Sequence, residues 1–181
     1  MQTRGARVTM KPILPDVMAP GLTVVFCGTA AGTVSAQSGA YYAHPQNKFW
    51  RTLHRTGLTP RLFKPEEFRA LPQFGIGLTD IAKHAFGMDS ELPPGSLGRS
   101  AAETLRAMIL DFSPRILAFT SLKGGRRVLG PKTTFGEQRQ VFGATRLWVL
   151  PSPSPAAHWN WDESVWTALA EAVRSLRSPA A

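Results

Sequence analysis

The sequence predicts an α/β protein of three layers, α/β/α, in which helices cover both faces of a central four-stranded parallel sheet. Four short apolar runs alternate with segments of helical periodicity. This alternation favours βαβ units with right-handed crossovers, because parallel strands cannot be joined by tight turns. The length of 181 residues fits one domain. We expect residues 1–20 to form a flexible arm and residues 21–178 to form the domain.

The four predicted strands are rich in Val, Ile, Leu and Phe. They are Thr23 to Cys27, Gly75 to Thr79, Arg115 to Thr120 and Thr145 to Leu150. In such sheets ligands bind outside the carboxyl ends of the strands. Function is therefore expected in the segments that follow them, predicted as loops: GTAAGTVSA, TDIAKH, SLKGGRR and PSPSPAAHWNW.

Two segments have clear helical periodicity. In SAAETLRAMILDF, Ser100 and Glu103 have the spacing of a capping box. Its apolar face is formed by Leu105, Met108, Ile109 and Phe112. A second helix is predicted to start near Asp162 and to bury Val165, Leu169, Val173 and Leu176. Shorter helices are predicted after Pro45 and after Pro65.

Composition limits the partners and cofactors. The chain has 21 Lys and Arg against 12 Asp and Glu, a net charge of +9, which favours a polyanionic partner but also suits any soluble basic protein. The single cysteine, Cys27, excludes internal disulfides and suits a reducing cytoplasm. No apolar run approaches the ~18 residues of a membrane-spanning helix. The histidines lack metal-ligand spacing, so we expect no metal. No cofactor is implied either.

Two motifs near the first strand are ambiguous when taken alone. GTAAG is either a phosphate cradle or a tight turn, and it matches neither a Walker loop nor a dinucleotide fingerprint. In YYAHPQNKFW, Tyr42 is either a stacking surface for a flat base or an ordinary packed aromatic. Neither motif identifies a ligand by itself.

The motifs gain specificity from their order. APGLTVVFCG, AHPQNKFW, KPEE, GIGLTD, PRILAF and LPSPSP follow one another between about residues 19 and 176. Through these six motifs and their order, the chain resembles the mismatch-specific uracil and thymine DNA glycosylases of the uracil-DNA glycosylase superfamily. The resemblance implies a monomeric, cofactor-free enzyme of DNA repair that flips uracil out of double- or single-stranded DNA and cuts its N-glycosidic bond. It also implies a cytoplasmic, nucleoid-associated protein.

The resemblance assigns roles to matching positions. It places Gly28, Thr29 and Ala30 in the base pocket, Tyr42 on the face of the base, and Asp80 at its edge. Ser152 is expected near O2 of the leaving base, and Asp80 and Ser152 are the first catalytic candidates. The further catalytic candidates, which either reach the pocket or cap a helix, are His44 and Asn47. The predicted DNA contacts are Gly32, Ser35, Lys123, Ser154, Pro155, Ala156 and His158.

Two departures from the family pattern affect the expected mechanism. Ala30 stands where most relatives carry an Asn or Asp that positions the attacking water, so either water is oriented elsewhere or the site acts by stabilising the departing base. The run Pro155 to Ala157 offers a small wedge to the duplex, which predicts weak dependence on the opposite guanine and better use of single strands. Trp159 and Trp161 either stack on DNA or anchor the last helix.

Two other functions fit the same sequence. A non-catalytic sensor of damaged or abasic DNA would keep the pocket and lose the chemistry, which Ala30 permits. A small-molecule or nucleotide-binding α/β protein would use GTAAG as an anion loop. Cleavage of a uracil oligonucleotide separates the enzyme from the sensor, and salt-dependent DNA binding excludes the nucleotide-binding protein.

Overall fold

A computed structural model, which describes residues 10–177, shows an α/β fold around a mostly parallel sheet. Within these residues the sheet has five strands in the order β2-β1-β3-β5-β4. Their bounds are β1 Val24–Ala31, β2 Ile76–Phe86, β3 Ile116–Phe119, β4 Gly136–Phe142 and β5 Thr145–Val149. The four predicted strands are present as β1, β2, β3 and β5 and are parallel to one another. The predicted strand number was wrong, because β4 adds an antiparallel edge next to β5.

Strand β4 has the composition of an exposed edge. Its sequence GEQRQVF is mostly polar, and most of its side chains are exposed or half-buried. It pairs with β5 across the Phe142–Thr145 turn, where Gly143 has a φ of 58°. Glu137 accepts hydrogen bonds from Arg146 of β5 at 2.6 and 2.9 Å. Backbone pairing with a buried neighbour thus forms a strand that hydrophobic periodicity does not indicate.

Five α-helices and three 3-10 helices connect the strands within residues 10–177. The α-helices are α1 Thr33–Ser38, α2 Phe49–Arg55, α3 Arg99–Phe112, α4 Leu122–Leu129 and α5 Glu163–Arg177. The 3-10 helices are Pro65–Phe74, Asp89–Glu91 and Pro155–Asn160. Helices α1 and α4 lie in segments predicted as loops. The capping box at Ser100 and Glu103 was wrong, since α3 has Gly98 as N-cap without a side-chain bond and Glu103 pairs with Arg99.

Each face of the sheet carries a hydrophobic cluster. On one face α2 and α5 pack on β1 through Phe26, Phe49 and Trp166, and the rings of Phe26 and Trp166 stack at 5.6 Å. On the other face Leu105 and Ile109 of α3 cover the strands. The core therefore has the two-sided burial that continuous apolar strands predict.

Strands β1 and β2 extend beyond their predicted ends. β1 continues through GTAA and β2 through DIAKHAF, so the first part of each predicted loop is strand. The predicted arm also needs correction for residues 10–20: Val17 bridges Leu78 of β2, Leu14 is buried, and Asp16 pairs with Lys83 at 2.6 Å. Residues 1–9 of the predicted arm lie outside the described residues.

Candidate active site

A cavity of about 660 Å³ opens where the carboxyl ends of the parallel strands meet. The segments after β1, β2, β3 and β5 all line it. The predicted site residues that it brings together are Gly28, Thr29, Ala30, Gly32, Ser35, Tyr42, His44, Asn47, Asp80, Lys123, Ser152, Ser154, Pro155 and Ala156. His158 is absent from the cavity lining; it is exposed, and its Nδ1 lies 3.1 Å from the carbonyl of Pro155.

The register of β1 and β2 places Asp80 directly beside Gly28. A Cβ on Gly28 would collide with Oδ1 of Asp80 and would lie 3.5 Å from Oη of Tyr42. Glycine at position 28 therefore provides the space that the Asp80 carboxyl occupies.

The side chain of Asp80 is a buried carboxyl group. It is 7% exposed, and within residues 10–177 no hydrogen bond to its carboxylate oxygens is found. Burial raises the pKa of Asp80 from 3.8 to about 7, while Lys83 lowers it and Asp16 raises it. Both protonation states are therefore populated at neutral pH. In the protonated state one oxygen donates a hydrogen bond while the other accepts one.

Tyr42 presents an aromatic ring to the same cavity. Its ring stacks on Phe49 with centroids 3.9 Å apart and an interplanar angle of 19°. Its hydroxyl lies 3.1 Å from Oγ1 of Thr120. Its φ of 52° is uncommon for a residue with a side chain. Burial raises the pKa of Tyr42, so the phenol stays neutral. The sequence analysis did not identify Thr120 as a site residue, because no sequence pattern indicates that its hydroxyl contacts Tyr42.

A second carboxylate in the cavity, Asp89, was also missed. Oγ1 of Thr29 donates to Asp89 Oδ1 at 2.6 Å, and Lys123 Nζ lies 3.8 Å from Asp89 Oδ2. Asp89 belongs to the short 3-10 helix after β2, beyond the segment that the predicted strand end indicated. The only indication of Asp89 in the sequence was an acidic residue two positions after Gly87, in the segment that connects β2 to α3. Thr29 thereby holds a carboxylate in the cavity that Ala30 also lines.

Two serine side chains form hydrogen bonds within the segment after β5. Oγ of Ser152 accepts a hydrogen bond from Ser154 N, and Oγ of Ser154 accepts one from Ala156 N, both at 3.3 Å. Each bond uses the hydroxyl as an acceptor, so its proton is available to a ligand. Ser152 lines the cavity, and its hydroxyl can donate a hydrogen bond to a ligand there.

His44 and Asn47 line the cavity and also stabilise the start of α2. His44 Nδ1 accepts from Gln46 N at 3.1 Å, and Asn47 Oδ1 accepts from Phe49 N at 2.9 Å. The Asn47 bond reaches the first residue of α2, whereas the His44 bond reaches Gln46, which lies before the helix. Ser35 is buried, and its Oγ accepts from Ala43 N at 3.1 Å, which directs this hydroxyl to the backbone.

Neither a metal site nor a membrane-spanning helix is found among the described residues. Within residues 10–177, no cluster of three or more His, Cys, Asp or Glu side chains has the arrangement of a metal site. None of the described helices combines the length and the apolar character that crossing a membrane requires.

Comparison with known proteins gives the family. The fold is similar to the solution NMR structure of a putative uracil DNA glycosylase from Methanosarcina acetivorans, with a TM-score of 0.61 and 20% identity. The similarity covers 89% of this chain and 96% of that chain. The family model described as the uracil DNA glycosylase superfamily matches residues 15–176. The chain therefore belongs to the uracil DNA glycosylase superfamily.

Proposed function

We propose that this protein is a monofunctional DNA glycosylase that hydrolyses the N-glycosidic bond of uracil extruded from DNA. The observation that carries the proposal is the Asp80 carboxyl, which is buried beside Gly28 and lines a cavity shared with Tyr42 and Ser152. Among residues 10–177 it has no hydrogen-bond donor. Membership of the superfamily supports a glycosylase. The cavity volume of about 660 Å³ accommodates a nucleotide.

The base is recognised at its face and at its edge. The Tyr42 ring, backed by Phe49, offers a stacking surface. Protonated Asp80 donates to O4 of uracil and accepts from N3–H through its other oxygen. This two-point contact gives a carboxyl the pairing pattern of an amide, and the raised pKa of Asp80 makes its protonated state available near neutral pH.

Bond cleavage is assisted by stabilising the departing base. As the N-glycosidic bond lengthens, negative charge develops on the base and positive charge on the sugar. The hydroxyl of Ser152, held in place by Ser154 N, donates toward the base. A preorganised donor of this kind lowers the barrier without a strong base. The phosphates of the DNA support the sugar cation.

Asp89 orients the attacking water in this proposal. Ala30 brings only a methyl group to the cavity, and Asp80 is committed to the base. Asp89 lines the same cavity as Ala30, and its orientation is fixed by the 2.6 Å hydrogen bond from Thr29. A carboxylate held in one geometry accepts a proton from water as the sugar cation forms.

Lys123 binds the DNA backbone beside the cavity. Its side chain is 43% exposed, and its 3.8 Å distance from Asp89 leaves its ammonium group available for a phosphate. The net charge of +9 contributes to the same attraction. Since little in the run Pro155 to Ala157 fills a gap in a duplex, we propose that single-stranded and duplex DNA are both substrates.

The test is excision from oligonucleotides that carry one uracil, single-stranded or opposite guanine or adenine. Wild-type protein should leave an alkali-labile site, and Asp80→Ala and Ser152→Ala should lower the single-turnover rate by about 10²-fold or more. Asp111→Ala removes an exposed carboxylate of α3 that does not line the cavity and is the matched control. DNA bound tightly but left intact by wild-type protein would favour a non-catalytic sensor, the function that Ala30 permits.

A further inference from the structure

Trp159 is exposed next to the candidate active site. It lies in the 3-10 helix Pro155–Asn160, and 78% of the residue is exposed to solvent. Ala157 and Asn160 on either side of it line the cavity, which places Trp159 at the border of the mouth. Within the described part of the chain no ring contact or hydrogen bond involves its side chain.

The other tryptophans of the chain are packed. Of five tryptophans, all of which the structure describes, Trp50, Trp148 and Trp166 are buried. The ring of Trp161 lies 5.9 Å from Trp166, and Lys48 Nζ is 5.4 Å from its centroid. Trp161 therefore anchors the segment before α5. Trp159 has no such packing, although an exposed indole leaves a large apolar surface in water.

The charges near the mouth indicate the chemistry of a partner. Lys48 lies on one side, where its backbone N–H donates to Pro153 at 2.9 Å, and its ammonium group is near Trp161. Lys123 lines the cavity from the start of α4. A ligand that offers phosphates to these cations and a flat π-face to an indole is a nucleic-acid strand with an unstacked base.

We propose that Trp159 stacks on a base of the bound DNA strand adjacent to the extruded nucleotide. That position depends on the proposed function, because the cavity holds the nucleotide only if the protein extrudes it. Extrusion leaves neighbouring bases without a stacking partner, and the indole replaces that partner where Pro155, Ala156 and Ala157 present only small side chains. This contact does not require an opposite strand, so it serves single-stranded DNA as well.

The experiment measures binding without cleavage. The probe is an oligonucleotide with one tetrahydrofuran abasic analogue, single-stranded or in a duplex, and the dissociation constant is measured by fluorescence anisotropy. Trp159→Ala should weaken binding by about 5- to 150-fold, since a base–aromatic stack contributes about 1–3 kcal/mol. Trp159→Phe should retain most of the affinity. Val141→Ala, which truncates an exposed residue of the edge strand β4, is the control and should bind like wild type.

A second probe separates stacking from charge. Inorganic polyphosphate carries phosphates and no bases, so Trp159→Ala should bind it as wild type does. Equal losses on DNA and polyphosphate, or no loss on DNA, would overturn the stacking role. If wild-type protein binds DNA but excises no uracil, the proposed glycosylase function is wrong, independently of the role of Trp159. If wild-type protein excises uracil and Trp159→Ala binds DNA unchanged, only the present inference is wrong.

Discussion

Replacing Asp80 by asparagine removes one ionisation from the buried site while preserving the shape of the side chain. Burial raises the pKa of Asp80 from 3.8 to about 7 in the folded protein. In the unfolded chain the carboxyl returns to its ordinary pKa near 3.9. Between these two values the folded state holds a proton that the unfolded state has lost. The free energy of unfolding therefore decreases as the pH rises from about 4 to about 7.

The size of this effect follows from the two pKa values of Asp80. Each pH unit between them changes the free energy of unfolding by about 1.4 kcal/mol. The difference between a pKa of 3.8 and a pKa of about 7 thus corresponds to up to ~4 kcal/mol of destabilisation at pH 8. Asparagine carries no charge at any of these pH values, so Asp80→Asn should not show this loss.

Urea unfolding of wild type and Asp80→Asn at pH 4 and pH 8 measures the effect. The variant should gain about 3–4 kcal/mol relative to wild type between the two pH values. Asp111→Asn, which alters an exposed carboxylate of α3, should show no comparable change. A stability difference that is the same at pH 4 and pH 8 would refute the ionisation of Asp80 as its source.

The same variant tests the role of the proton in excision. If protonated Asp80 contacts uracil, the wild-type single-turnover rate should fall as the pH rises through about 7. Asp80→Asn should remain active, and its rate should lose this dependence. A wild-type rate that increases through pH 7 would mean that the ionised carboxylate is the active form.

Three further substitutions test the remaining parts of the site. Gly28→Ala should abolish excision while leaving the circular dichroism spectrum native, because the added Cβ collides with Asp80. Asp89→Asn should lower the single-turnover rate by about 10²-fold without weakening DNA binding, as measured by anisotropy. Lys123→Ala should weaken binding to duplex DNA and reduce the slope of log K against log salt concentration by about 0.9, measured from 50 to 200 mM salt.

The four parallel strands were predictable because buried strands consist of continuous Val, Ile, Leu and Phe runs. The edge strand β4 was not, since GEQRQVF owes its conformation to pairing with β5. The ends of β1 and β2 were also missed. Small residues such as those of GTAA are typical of loops, and here they form strand because β2 continues beside them.

The site could be predicted only in part. The prediction that the segments after the parallel strands meet at one site agrees with the cavity, since a parallel sheet places the carboxyl ends of its strands at one edge. The contacts within it depend on register and on distant residues. Thr29 and Asp89 are 60 residues apart, and Tyr42 and Thr120 are 78 apart, so no local pattern connects either pair.

In the proposed mechanism Asp89 orients the water that Ala30 does not, and the end of β2 determines where Asp89 lies. Phe86 pairs with Ala31, and Gly87 N donates to the carbonyl of Ala31 at 2.9 Å, so the chain remains beside β1 before Asp89. Asp89 then depends on the Thr29 hydroxyl for its orientation. Thr29→Val keeps the side-chain shape and removes that donor. It should lower the single-turnover rate, whereas the pH dependence that Asp80 sets should persist. A rate equal to that of wild type would exclude Asp89 as the group that orients water.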